Sequence, residues 1–169
     1  METTELEKTG ACKEAIFYVR TQKNYEEAWY NCSRGDWMLW IAAKLQIDKR
    51  LLTLTKGKCA ATVLHLMKDK RSKKAVKAAI DYGHGLIGDE ELKNAAYAAY
   101  DAAYAAYAAY ASDAAYDAAY AAYDAAADAA DDAAAYAAAA VKKQNQLKTA
   151  NICREVLTEA VFNKWNNLK

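Results

Sequence analysis

Proline is absent from this chain, glycine occurs only six times and phenylalanine only twice. Without proline no helix loses an amide donor or meets a ring clash, and with so few glycines the places where a helix can stop are easily read. Strands find little support, since no useful alternating apolar run and no Asn-Gly hairpin turn occurs. The four cysteines, Cys12, Cys32, Cys59 and Cys153, contain no C-x-x-C pair and read as small apolar core residues. A zinc site drawn from Cys12, Cys32, Cys59 and His84 would lack the paired spacing that such sites use. The opening Met1-Glu-Thr-Thr-Glu5 does not read as a signal peptide and no segment reads as a membrane span, so a reducing cytoplasm with free thiols is the expected setting.

The motifs of common catalysts are missing too: no Gly-rich phosphate loop, no H-E-x-x-H, no G-x-S-x-G and no EF-hand loop. His65 lies in the apolar stretch Val63-Leu64-His65-Leu66 and reads as a core or edge histidine. His84, between two glycines, reads as a turn residue with no nucleophile or carboxylate at a telling spacing. Neither an enzyme nor a bound cofactor or metal is expected.

What the chain does have is a run of forty-six residues, Ala95 to Ala140, written in Ala, Tyr and Asp with a single Ser. Alanine is the best helix former, so the run is expected to be helical. As one rod it would reach ~69 Å at ~1.5 Å per residue, whereas a compact domain of this length is roughly 40 Å across. Tyr97, Tyr100, Tyr104 and Tyr107 share a face, with Tyr110 at its edge, while Tyr116, Tyr120 and Tyr123 fall about half a turn away. The change of phase coincides with Ala111-Ser112-Asp113, where Ser and Asp are N-cap residues. A helical hairpin broken there is the expected arrangement, and one long helix is the alternative. The first tyrosine stripe is expected to fill gaps between facing helices. In the second half Asp113, Asp117, Asp124, Asp128 and Asp131 form an acidic ridge beside Tyr116, Tyr120 and Tyr123. A ridge of this kind is either a solvated face or a docking surface for a basic partner, with Tyr supplying contact area and Asp charge complementarity.

Net charge is only +1 but is strongly segregated. Ala42 to Tyr82 carries eleven Lys or Arg against three Asp, Ala95 to Ala140 carries seven Asp and no base, and Val141 to Lys169 carries six bases against two Glu. Opposite blocks most simply attract one another within the fold. Direct nucleic-acid binding through the basic blocks is disfavoured by the near-neutral total and the lack of a recognition-helix motif.

The remaining chain reads as short amphipathic helices over 11–88 and a closing helix over 141–169, the whole forming a single all-α domain, a compact multi-helix array. Ala11, Cys12, Ala15, Ile16 and Val19 lie on one stripe of a helix over 11–20. Asn24 with Glu27 opens a helix from Tyr25 to Cys32, Gly35 is suited to end it, and Asp36 to cap the next, Trp37 to Leu45, with Trp37, Trp40, Ile41 and Leu45 inward. Asp48 starts a helix through Leu54 that continues past Gly57 or restarts there as Lys58 to Met67. Ser72 caps Lys73 to Tyr82, whose Ala75, Val76, Ala79 and Ile80 face inward. Gly88-Asp89-Glu90-Glu91 opens the alanine-rich part with an N-cap and an acidic first turn. The last helix, Leu147 to Trp165, is expected to bury Ile152, Val156, Ala160 and Trp165.

The segment from Tyr25 to Leu45, YEEAWYNCSRGDWMLWIAAKL, resembles the EAW…C…RGDWLLWLA…L signature of an all-helical immunity protein family of bacterial polymorphic toxin systems. The resemblance continues through Asp48-Lys-Arg-Leu-Leu52, Lys74 to Tyr82 and the alanine-rich tail, covering about residues 11 to 140. It implies a small cytoplasmic protein that binds and neutralises a toxin by occluding its active face, with no catalysis of its own. The acidic ridge suggests an alternative: a phage or mobile-element counter-defence protein, such as an inhibitor of a host nuclease or CRISPR complex, that acts as a DNA mimic. Both expectations place a protein target with a basic surface on Asp113, Asp117, Asp124, Asp128, Asp131, Tyr116, Tyr120 and Tyr123.

Overall fold

The computed structural model describes residues 4–66, 69–110 and 142–167, and these are all-α. The helices run in the order α1 (Thr4–Lys8), α2 (Lys13–Arg20), α3 (Tyr25–Asn31), α4 (Gly35–Lys44) and α5 (Lys49–Ala61). A 3₁₀ turn at Leu64–Leu66 leads to α6 (Lys70–Gly83) and α7 (Asp89–Tyr110). The final helix, α8, spans residues 142–166. No strand occurs among the described residues.

Side chains that accept backbone amides set the helix starts. Asn24 Oδ1 accepts from Glu27 N at 2.7 Å while Glu27 Oε2 accepts from Lys23 N at 2.8 Å, a reciprocal cap displaced by one residue from the usual box. Asp48 Oδ1 caps α5 through Leu51 N at 3.0 Å. Asp69, rather than Ser72, caps α6 through Arg71 N at 2.7 Å, so that helix starts earlier than its sequence suggests. The stops share one device. At the ends of α1, α4 and α6 the amides of Ala11, Ile47 and Leu86 reach back to the carbonyls of Leu6, Ala42 and Asp81 at 3.4, 3.2 and 2.9 Å. The residue before each of them is left-handed: Gly10 (φ 83°), Gln46 (φ 53°) and Gly85 (φ 76°). These are Schellman closures, two with the favoured glycine and one with a glutamine that carries the Cβ penalty.

The expected stop at Gly35 is corrected. Gly35 is the first residue of α4, not the terminator of α3, and Asp36 lies within the first turn instead of capping it. Its role is proximity. A Cβ placed on Gly35 would lie 2.4 Å from Thr149 Oγ1 and 2.7 Å from the Thr149 carbonyl carbon, so only glycine lets α8 lie against the start of α4. At Gly57 the first of the two expected arrangements holds: α5 runs through it unbroken, and Ala79 and Ile80 of α6 lie within 3.1 Å of where its Cβ would stand.

α8 is the axis of the core. Ala150, Cys153, Leu157 and Val161 are each wholly buried, at spacings that keep them on one stripe of the helix. The stripe is one step round from the expected Ile152, Val156 and Ala160, which flank it half-buried together with Trp165. Both sides of the helix are wrapped, so two neighbouring apolar stripes were on offer. Similarly, α4 buries Met38 and Ala42, while Trp37, Ile41 and Leu45 pack at the edge. Trp29 meets Phe162 and Trp165 edge-on at ring distances of 6.5 and 6.2 Å, and its Nε1 donates to Thr158 Oγ1 at 2.9 Å. Arg154 Nη1 donates to the carbonyl oxygens of Cys32 and Tyr30 at 2.7 and 3.2 Å, satisfying acceptors at the end of α3. Of the cysteines, Cys32, Cys59 and Cys153 are buried as expected, but Cys12 is exposed at the start of α2.

Two outcomes follow from these closures. Gly35→Ala should lower stability by about 2–3 kcal/mol, because Thr149 stands 2.4–2.7 Å from the added carbon, whereas Gly57→Ala should cost less, since Ala79 and Ile80 stand further off at 2.9–3.1 Å. Gln46→Gly should raise stability by about 0.5–1 kcal/mol by removing the left-handed strain. Urea unfolding midpoints test both; equal losses at Gly35 and Gly57 would remove the close-contact explanation.

Candidate functional site

The predicted contact residues Asp113, Asp117, Asp124, Asp128, Asp131, Tyr116, Tyr120 and Tyr123 lie outside the described residues, as does the expected break at Ala111-Ser112-Asp113. What is described is the helix that leads to them. α7 is seated by its first turn: Tyr82 Oη donates to Asp89 Oδ1 at 2.8 Å, and Lys49 forms an ion pair with the same carboxylate. Tyr82 is itself buried, with Arg50 stacked on its ring at 4.4 Å and donating to its carbonyl oxygen at 2.7 Å. This network fixes the direction in which α7 leaves the α5–α6 pair.

Along α7, Leu92, Ala95, Ala98 and Ala99 are half-buried, and Tyr97 and Tyr100 are not. Tyr97 is 60% and Tyr100 67% exposed, the former carrying Lys93 over its ring at 5.9 Å. The expectation that this stripe fills gaps between helices is therefore corrected for these two residues. α7 approaches α6 through alanine, whose small side chain permits close backbones, and the helical phase that places Ala95, Ala98 and Ala99 inward turns Tyr97 and Tyr100 outward.

The Arg34-Gly35-Asp36-Trp37 corner is used inside the molecule. Arg34 forks onto Asp36 through two bonds of 2.8 and 2.6 Å and covers the Trp37 ring at 4.5 Å. Trp37 also packs on Tyr18, whose hydroxyl donates to the Ala28 carbonyl oxygen at 2.9 Å and whose pKa is pushed up to about 12 by burial. Gly35 offers its carbonyl oxygen to Cys153 Sγ at 3.7 Å. Every part of the motif joins α2, α3, α4 or α8.

Of the acidic block only Asp101 is among the described residues, so the expected attraction between the blocks lies largely outside them. Lys49 pairs with Asp89 and Lys58 with Glu155 across helices, whereas Arg71 and Lys77 pair locally with Asp69 and Asp81. Lys70, Lys73 and Lys74 are exposed on α6 and make no ion pair among the described residues.

Comparison of the chain with family models, with curated proteins and with solved structures finds no match in any of the three. The reading of the site rests on its own geometry.

No three His, Cys, Asp or Glu side chains among the described residues are grouped so as to hold a metal ion. His65 is exposed in the 3₁₀ turn, so it is no core residue, and His84 caps the end of α6 in an exposed turn. The exposed aromatic face of α7 was within reach of the sequence, since Ala95, Ala98 and Ala99 alternate with Tyr97 and Tyr100 at helical spacing. Nothing in the residues says which of the two stripes a neighbour prefers.

Three aspartates among the described residues are held below their ordinary range. Asp36 is lowered by its hydrogen bonds from Arg34, Asp69 by those from Arg71, and Asp89 by those from Lys49 and Tyr82. A carboxyl with a depressed folded pKa contributes stability above its unfolded value of about 3.9, and the contribution is lost as pH falls through the folded value. Asp36→Asn should therefore be less stable than the parent at pH 7, with the difference narrowing as pH falls below about 4. Urea midpoints at pH 7 and pH 3 read this directly, and a difference that stays constant would show that the Arg34–Asp36 pair is not its cause.

Proposed function

We propose that the protein is a non-catalytic inhibitor that binds and neutralises a partner protein in the manner of immunity proteins. The observation that carries this reading is the exposure of Tyr97 and Tyr100 on a helix anchored at its first turn and leading into the Asp113 to Asp131 segment. Tyrosine offers a large, rigid surface with a polar tip, and it is enriched where proteins bind one another. A helix that needed only to remain soluble would put charge, not aromatic rings, at these positions.

The acidic segment supplies the complementary term. Seven Asp and no base follow within Ala95 to Ala140, which suits a target with a basic face and would speed its encounter at low salt. A toxin or a defence effector that handles nucleic acid has such a face. In this reading the Arg34 to Trp37 corner, which packs on Tyr18 and Cys153, serves the body of the fold and is not the contact itself.

The test is a pull-down from the native host with the captured protein purified and its activity titrated. The parent chain should capture one protein and inhibit it at a one-to-one ratio. A triple replacement of Asp117, Asp124 and Asp128 by Asn should weaken binding at least about tenfold, a change of about 1.4 kcal/mol, and should make the remaining affinity less sensitive to salt. Replacing Tyr97 and Tyr100 by Ala should weaken it comparably. If both variants inhibit the captured protein as well as the parent does, neither surface is the contact and the reading fails.

A further inference from the structure

Every exposed residue of α6 is basic: Lys70, Arg71, Lys73, Lys74 and Lys77. The helix packs on α5 and α7 with its remaining residues, Val76 and Tyr82 buried among them. At helical spacing the four lysines fall within an arc of roughly 100°. Arg71 is engaged locally, forking onto Asp69 with bonds of 3.2 and 2.9 Å, and Lys77 is held by Asp81. Lys70, Lys73 and Lys74 make no ion pair among the described residues.

Their place in the helix works against stability. Lys70 and Lys73 stand in a first turn that carries no acid, where the positive end of the helix dipole repels cations. Lysines that served only to keep the chain in solution would be better placed in the last turn, which carries no base.

We propose that this face of α6 binds duplex DNA through its phosphates, without regard to base sequence. The chemistry of the face selects the occupant. Its exposed residues include no aromatic, no methionine and no unengaged arginine, the side chains that anchor protein interfaces. They include no apolar side chain to enter a lipid surface and no ring on which the bases of a single strand would stack. What remains is lysine, whose ammonium meets a phosphate as a point charge. From Lys70 to Lys77 the helix rises ~10.5 Å at ~1.5 Å per residue, a length over which duplex DNA carries about six phosphates. The near-neutral total disfavours a chain that is basic throughout, but it does not describe this face. The missing recognition-helix motif removes base readout and leaves backbone contact untouched. The proposal stands apart from the inhibitor reading, since the face includes neither Tyr97 and Tyr100 nor the acidic segment.

The test is fluorescence anisotropy of a labelled twenty-base-pair duplex titrated with the full chain at 20 and 80 mM salt. The full chain is used so that the seven Asp of Ala95 to Ala140 act on the measured affinity as they do in the protein. Three neutralised phosphates give a slope of about −2.7 for log K against log salt, so affinity should fall about fortyfold between the two conditions. A duplex of unrelated sequence should bind within about twofold. Combining Lys70→Gln, Lys73→Gln and Lys74→Gln should weaken binding at least about tenfold at 20 mM salt and remove most of the slope. Because these lysines oppose the helix dipole, the variant should unfold at a temperature no lower than the parent, which separates lost binding from lost fold. No binding at 20 mM salt, equal binding by the variant, or tighter binding to a single strand of the same sequence would each overturn the proposal. Sedimentation of the chain with phosphatidylserine vesicles that the duplex does not reverse would also overturn it and assign the face to a membrane.

Discussion

The fold depends on how closely one helix can approach the start of another. Because Gly35 has no side chain, α8 lies with the backbone of Thr149 against the first turn of α4, and from that contact the other α8 contacts come into register. Cys153 reaches the Gly35 carbonyl, Arg154 reaches the free carbonyls at the end of α3, and Thr158 meets the Trp29 indole. Each of these groups would be costly to bury without its partner. A single extra carbon at Gly35 would displace all of them together, so the tightness of this contact outranks any one hydrogen bond within it.

Much of this was legible from the residues. The class followed from the missing proline and the helical spacing, and Asn24 and Asp48 cap where their side chains said they would. Gly35 was misread because glycine has two uses, to turn left-handed and to leave room, and the local pattern cannot tell them apart. Gln46 shows the converse, taking the left-handed place that sequence reasoning reserves for glycine because Ile47 and Ala42 pack together across the closure. The inward stripe of α8 slipped by one step since Ile152 and Val156 are as apolar as Cys153 and Leu157. The exposed Asn151, Glu155, Glu159 and Asn163 mark the outer face, but the apolar face opposite them is wide enough to leave its centre open by one step.

The candidate site divides along the same line. The network of Lys49, Arg50, Tyr82 and Asp89 that seats α7 joins residues far apart in sequence, and no motif announces it. The outward tyrosines follow a spacing that was visible, but their exposure depends on α6 meeting α7 through alanine. The Arg34 to Trp37 corner packs on Tyr18 and Cys153 and so joins α2, α4 and α8.

The indole of Trp29 and the hydroxyl of Thr158 are separated by 129 residues in the chain, and this bears on the order of events at the ribosome. At about 5–20 residues per second, the apolar faces of α3 and α4 wait on the order of ten seconds before the helix that covers them has been made. Throughout that interval the growing polypeptide holds Trp29, Met38 and Ile41 without the neighbours that α8 supplies, while the alanine-rich stretch is synthesised in between. The core around α3 and α4 thus closes only when α8 arrives, and until then the newborn chain carries those apolar faces uncovered.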